Sequence, residues 1–280
     1  MELPTPNGAT PNSATPNSHL RKERWSWQQR VARATALARA DARAAALLTQ
    51  YAAILTAQAA CYDALVARGE RLTGSLERDL VELRAPAAHV FAAIATVAPA
   101  QAAGDAPGDA SAIDALLRDG WHRQDMPFHA RIVLQPYAEA LAVISPPVRT
   151  ERRLQAPPER AACPFCGGAP QLAVLRTDAD ANGGGRALVC ATCSTTWPVG
   201  RIRCAHCGEE NEGRLGYFHT ADFDHLRVDA CDTCRHYLKT VDLTRLGLAV
   251  PLVDEVASGA LDIWAQERGY TKVTPNLIGL

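Results

Sequence analysis

Eight of the nine cysteines in this 280-residue chain fall into four Cys-x-x-Cys pairs: Cys163/Cys166, Cys190/Cys193, Cys204/Cys207 and Cys231/Cys234. Twenty-three residues separate the first pair from the second, and twenty-three separate the third from the fourth. Every cysteine of the first set therefore recurs 41 positions later, and Gly167/Gly208 and Arg186/Arg227 keep the same offset. This is an internal duplication. Two thiolates separated by two residues in a tight turn can face one ion, and a second such turn completes a tetrahedron. A redox pair of the thioredoxin kind would need a βαβ pattern beside it, and none is present. The residues read as two metal sites with Cys163, Cys166, Cys190 and Cys193 at one and Cys204, Cys207, Cys231 and Cys234 at the other. An interleaved cross-brace of first and third pairs is the competing connectivity. Four soft thiolates suit zinc and a single iron alike.

The elements that must position these thiols are short. Leu172–Leu175 and Arg186–Val189 read as strands around the turn Asp180–Gly185, and Arg214–Phe218 and Leu226–Val228 as strands around Thr220–Asp224. Each repeat is then two knuckles joined by a hairpin, the build of a zinc ribbon or rubredoxin-like module. Gly167 and Gly208 suit the left-handed turn after a ligand pair. His206 and His236 lie beside ligand cysteines but are surplus to a filled tetrahedron. Upstream, apolar residues from Leu37 to Val66 recur at three- and four-residue steps, a helical stripe that carries Cys61 as a buried thiol. Further helices are expected over 72–83, 86–98, 111–119 and 127–144, with Pro86 as a break.

The fold class is thus α+β: an N-terminal all-α helical domain, two tandem rubredoxin/zinc-ribbon-like metal modules with four cysteines each, and a C-terminal helix. The expected division is a disordered tail over 1–24 with three copies of Thr-Pro-Asn, a helical domain over 25–148, and an arginine-bearing linker over 149–162. The first ribbon follows over 163–200, the second over 201–242, and a helical segment over 243–280. Within that last segment one helix is expected from Pro251 to Gly269. Its Asp254, Glu255 and Asp262 read as acids near a helix N-terminus and on a solvated face, with a partner-facing acidic stripe as the alternative.

Composition narrows the function. With 48% apolar residues, 21% charged residues and a net charge of −1, the chain reads as a soluble globular protein. It has no apolar run long enough to span a membrane and no visible signal peptide, so a cytoplasmic setting without membrane insertion is expected. No P-loop, dinucleotide fingerprint or nucleophile elbow is present, so no catalytic residue and no enzyme activity are assigned. Residues 160–242 carry nine Lys/Arg against ten Asp/Glu, which argues against nucleic-acid binding by the ribbons. Arg186, Arg201, Arg203 and Arg227 read instead as offsetting the thiolate charge. Three functions remain in view: a zinc-ribbon nucleic-acid-binding protein, a metal-stabilised protein-interaction module, and a rubredoxin-like electron-transfer protein.

Several stretches together resemble one family. Cys163-Pro-Phe-Cys-Gly-Gly168 is followed by Leu188-Val-Cys-Ala-Thr-Cys-Ser-Thr-Thr-Trp197, then by Arg201-Ile-Arg-Cys-Ala-His-Cys207 and Cys231-Asp-Thr-Cys-Arg-His-Tyr-Leu-Lys239. With Val253–Ser258, Leu261-Asp262, Glu267–Tyr270 and Pro275-Asn276, these are similar to the FdhE family of formate dehydrogenase accessory proteins. Leu47 to Gln58 looks like the family's first helix, so the resemblance covers about residues 25–280, with Glu255 where a second aspartate is expected. It implies a cytoplasmic maturation factor, a chaperone-like protein that binds the catalytic subunit of formate dehydrogenase before its export. It also implies that the two four-cysteine sites hold iron, with zinc as the other metal. A homodimer is left open.

Overall fold

The computed structural model describes residues 25–96, 107–144, 161–177 and 185–279. The expected tail, all but the last two residues of the linker, and most of the first hairpin turn lie outside these. Helix α1 (Trp27–Ala40) begins at a capping box: the Gln29 amide donates to Ser26 Oγ, and the Ser26 amide donates to Gln29 Oε1. The stripe from Leu37 to Val66 is not one helix. Asp41 stops α1 in extended backbone and accepts from the Arg43 amide, so the chain folds back into α2 (Ala45–Val66). Conversely, α3 (Leu76–Ala95) runs straight through Pro86, where a break is expected from sequence. The proline removes one helical hydrogen bond, but its ring is buried, and the tertiary contacts on both sides outweigh that loss.

Helix α4 (Ala110–His122) is capped by Asp109, whose side chain accepts from the Ala112 amide at 2.9 Å. It packs closely on α5 (Phe128–Ile144): a Cβ at Gly120 would lie 2.4 Å from that of Ala130, so only glycine fits there. Helix α5 is buried on nearly every side, from His129 to Leu134 and from Pro136 to Ala142. A helix so placed is a central post with neighbours all round. Cys61, on α2, is 1% exposed in this core, and burial pushes its thiol up to about 12, as suits an inert packing residue.

Seven strands form a single sheet: β1 (Pro170–Arg176), β2 (Gly185–Cys190), β3 (Thr196–Pro198), β4 (Leu215–His219), β5 (Leu226–Cys231), β6 (His236–Asp242) and β7 (Thr271–Lys272). Their order is β3-β2-β1-β6-β5-β4, with β7 also on β6. The first repeat supplies three antiparallel strands and the second supplies three more. The repeats join where β1 pairs in parallel with β6, Leu172 opposite Lys239 at one end of the seam and Leu175 opposite Asp242 at the other. Alternate residues serve different cores, as the period of two requires. Ala173 and Leu188 join the helical core, whereas Leu172, Val174 and Val189 pack with Leu252, Leu261 and Ala265.

The expected C-terminal helix is two, α6 (Pro251–Ala257) and α7 (Gly259–Glu267), broken at Ser258. Its three acids are not on a solvated face: Asp254, Glu255 and Asp262 are 2%, 0% and 0% exposed. Glu255 and Asp262 meet Lys239 of β6 and Lys272 of β7 in a neutral buried quartet. Tyr237 donates to Asp262 at 2.7 Å, and Asn276 and Gln171 donate to Glu255. Asp254 accepts from Arg33 of α1, from His225 beside β5, and from the Val250 amide of its own helix. The sequence misleads here because an acid near a helix N-terminus is usually exposed, and only the fold brings Lys239 and Lys272 to these acids. No described helix is long and apolar enough to cross a membrane.

Burial opposes the charge on Glu255, but Lys239 and Lys272 beside it hold its carboxyl down to about 2 from 4.5. A carboxylate depressed in this way stabilises the fold fully above its unfolded value and loses that contribution as pH falls through its folded value. We expect stability in urea to fall steadily between about pH 4.5 and pH 2, with the slope flattened in Glu255→Gln. Asp262→Asn leaves two buried ammonium groups against one carboxylate, and should lower unfolding free energy by about 3 kcal/mol.

Candidate metal centres

The four knuckles share one local construction. In each, the amide four residues on returns to the carbonyl of the leading cysteine: Gly167 to Cys163, Ser194 to Cys190, Gly208 to Cys204 and Arg235 to Cys231, at 2.9 to 3.2 Å. All four donors are left-handed, with φ of 73°, 53°, 80° and 57° in that order. Glycine meets this demand freely in two of them, and Ser194 and Arg235 meet it under strain. The strain is balanced by fixed side chains. Ser194 donates to Glu139 at 2.6 Å, while Arg235 bonds Asp232 and the Arg268 carbonyl and lies 3.9 Å from the Tyr270 ring centre.

These turns bring the sulfurs together within each repeat, and the interleaved cross-brace is not what forms. Cys163, Cys166, Cys190 and Cys193 make one cluster, and Cys204, Cys207, Cys231 and Cys234 the other, with the sulfurs of each within 4.8 Å of one another. Cys163 and Cys193 stand 3.6 Å apart and Cys166 and Cys190 3.4 Å, while both corresponding pairs of the second cluster stand at 3.7 Å. A disulfide needs a far shorter approach. A tetrahedron of sulfurs about 2.3 Å from a central ion has edges of about 3.8 Å, which these distances approach. Each cluster can therefore hold a metal ion. The leading cysteines Cys190 and Cys204 also accept amide hydrogen bonds from Thr192 and His206, at 3.3 and 3.4 Å. Such bonds delocalise thiolate charge.

The duplication does not give two equal surroundings. Cys163, Cys166, Cys190 and Cys193 are at most 3% exposed and belong to the helical core. Helix α5 forms their seat: Glu139 takes both Arg30 of α1, at 2.8 and 3.0 Å, and Ser194. One and two turns back along the helix, Gln135 and Arg131 donate to the Ala191 carbonyl between the ligands. In the second cluster Cys207 and Cys234 are half-buried, and carbonyls of their knuckles accept from outside the ribbon, Ala205 from the Ala161 amide and Arg235 from the Thr271 amide. Sequence reasoning misses this seat, although a signal exists. Arg131, Gln135 and Glu139 sit at four-residue steps on an otherwise apolar helix, which marks one polar face turned inward.

The nearby polar residues are held by partners of their own. Arg186 donates to the Arg203 carbonyl and to Asp229, Arg227 to Asp229, and Arg203 to Glu210. These arginines thus hydrogen-bond carboxylates and carbonyls, and the sulfurs draw on backbone amides. His206 and His236 do come close to Cys234. Their rings, however, stack at 3.6 Å with planes 7° apart. A metal binds an imidazole in the plane of the ring, and two stacked rings offer no shared in-plane point. The His236 Nδ1 donates to the Cys234 carbonyl, so the pair braces that knuckle from outside.

With this geometry in place, relatives are recognisable. Residues 162–201 match the family described as "FdhE, central domain", and residues 202–278 match "FdhE, C-terminal domain". Over these residues the chain resembles the FdhE family. It is 38% identical over 117 residues to the "Protein FdhE homolog" of Aquifex aeolicus, covering 42% of this chain and 41% of that one. To the homologue from Pseudomonas putida it is 36% identical over 124 residues, 42% and 38% of the two chains. The matched stretch thus spans about two fifths of the curated relatives it matches. The crystal structure of the FdhE protein from Pseudomonas aeruginosa superposes with a TM-score of 0.65 at 26% identity, over 90% of this chain and 95% of that one. The resemblance noted in the sequence is thereby established.

Burial holds the Cys163 thiol well above its ordinary range and raises that of Cys204 to about 11. An incoming ion must displace those protons, so affinity falls with pH. During acidification or chelator challenge, we expect the second centre to release metal first and the first centre at least about tenfold more slowly. Release followed in Cys204→Ser/Cys207→Ser and in Cys163→Ser/Cys166→Ser assigns the two phases. Ser194→Ala keeps the strained backbone and leaves Glu139 without one donor. It should lower stability by about 1–3 kcal/mol and speed loss from the first centre.

Proposed function

We propose that this protein is an accessory factor in formate dehydrogenase maturation that binds the catalytic subunit through the metal-stabilised surface of its second ribbon. The observation that carries this reading is the closed donor set. An ion in either cluster would have protein sulfur at all four corners, with no position left for a substrate, which is the pattern of structural centres. The resemblance to FdhE proteins supplies the client. The proposed ligands are Cys163, Cys166, Cys190 and Cys193 at one centre and Cys204, Cys207, Cys231 and Cys234 at the other, with iron the favoured metal. The first centre fastens the ribbon to the helices, and the second shapes a surface that a client can reach. On this reading the protein works in the cytoplasm and is not itself an enzyme.

The half-buried second centre also favours electron exchange as a secondary role, because thiolate-bound iron near the surface can pass electrons to a partner. The decisive experiment is co-purification of the tagged protein with the catalytic subunit of formate dehydrogenase, with metal content measured on protein prepared without oxygen. Cys204→Ser/Cys207→Ser should lose one equivalent of metal and most client binding while the helical domain stays folded. Normal binding and maturation by that metal-depleted variant would overturn the proposal. A reversible one-electron couple at the second centre would add the redox role, and zinc in both centres would remove it.

A further inference from the structure

A cavity of about 400 Å³ opens beside the second centre, with Cys204 and Cys231 in its wall. This volume lies within the range of small-molecule sites. Four arginines line it, Arg186, Arg201, Arg203 and Arg227, against Glu212, Asp229 and the sulfurs of Cys204 and Cys231. The deepest of them is incompletely bonded. The Arg186 side chain is 3% exposed, its two terminal nitrogens reach the Arg203 carbonyl and Asp229, and its Nε–H is buried without an acceptor. At the rim, Arg227 donates its Nε to Asp229 and lies over the ring of Tyr217 at 5.3 Å. Tyr217 is 65% exposed and Ile202 is 46% exposed, an aromatic and an aliphatic face at the mouth of a basic cavity.

We propose that this cavity binds a small organic anion. Its carboxylate or phosphate head accepts hydrogen bonds from the Arg201 and Arg227 guanidiniums, and its flat apolar body lies against Tyr217 and Ile202. Guanidinium forks match both kinds of head, and an aromatic ring beside an arginine gives a planar body a place to stack. The site does not depend on the maturation role. It implies that the second centre carries an anion pocket with two of its own cysteines in the wall.

Titration of the metal-loaded full chain with 2-naphthoate, 2-naphthyl phosphate and the neutral 2-naphthylmethanol tests this. At least one anion should bind at one equivalent and at least about tenfold more tightly than the alcohol. The better of the two tells carboxylate from phosphate. Arg201→Gln/Arg227→Gln, checked for unchanged metal content and melting, should weaken that anion by at least about tenfold. Raising salt from about 0.05 to 0.5 M should weaken it in the unaltered protein as well, which decides the matter if the variant does not fold. Equal binding of anion and alcohol, binding indifferent to both salt and the arginine changes, or no binding of either anion below about 5 mM overturns the proposal.

Discussion

Four thiolates can occupy a few cubic ångströms only around a cation, and much of this molecule follows from that constraint. Without the ion, burial and mutual repulsion favour protonation of Cys163, Cys166, Cys204 and Cys234. With it, the charge is shared and the knuckles become rigid. Each ribbon hairpin is too short to bury a core of its own, so an ion in each cluster would supply cohesion that side chains cannot. The cost moves to the backbone, where each knuckle demands a left-handed residue. Two knuckles use glycine, and the other two hold a serine and an arginine in place by hydrogen bonds and ring contacts.

Docking then breaks the symmetry that duplication created. The parallel seam of β1 with β6 fuses the two ribbons into one sheet, so the repeats cannot sit as equivalent beads. One repeat lands on α5, whose Glu139, Gln135 and Arg131 meet the turn between Cys190 and Ser194. Its sulfurs become part of the helical core. The other repeat touches the helical core through Ala205 and Leu238, packs its strands on α6 and α7, and keeps two sulfurs half-exposed, with arginines gathered around a cavity at its flank. Identical ligand spacing therefore yields one centre suited to holding the molecule together and one suited to meeting something else.

The C-terminal segment locks this arrangement with ions in place of a larger apolar layer. Lys239, Lys272, Glu255 and Asp262 balance one another in full burial, and amide and hydroxyl donors fill the remaining acceptor positions. Such a network adds little net stability compared with a well-packed apolar one, but it tolerates few alternative packings. It fixes α6, α7 and β7 against β6, the strand that also joins the two ribbons. Asp254 extends the clasp to Arg33 on α1, so both ends of the described chain bear on the same sheet.

The two cysteine sets were legible because knuckle chemistry is local: cysteine spacing, repeated at a fixed offset, defines four turns and two clusters with no knowledge of the fold. The α+β character and the flanking hairpins were legible for the same reason, through period-two strands and helical stripes. Helix ends were less so. Asp41 breaks a continuous apolar stripe and Pro86 fails to break one, since tertiary contacts there outweigh local preference. The fates of Asp254, Glu255 and Asp262, and of the arginines near the second centre, could not be read at all. A charge is solvated, paired or poised according to what lies across from it, and those partners are brought in from distant strands and helices. Sequence alone thus determined which cysteines gather in each cluster, because adjacent residues do the gathering. Only the tertiary structure decided which centre is buried and which faces outward, because that depends on where one sheet settles against one helix.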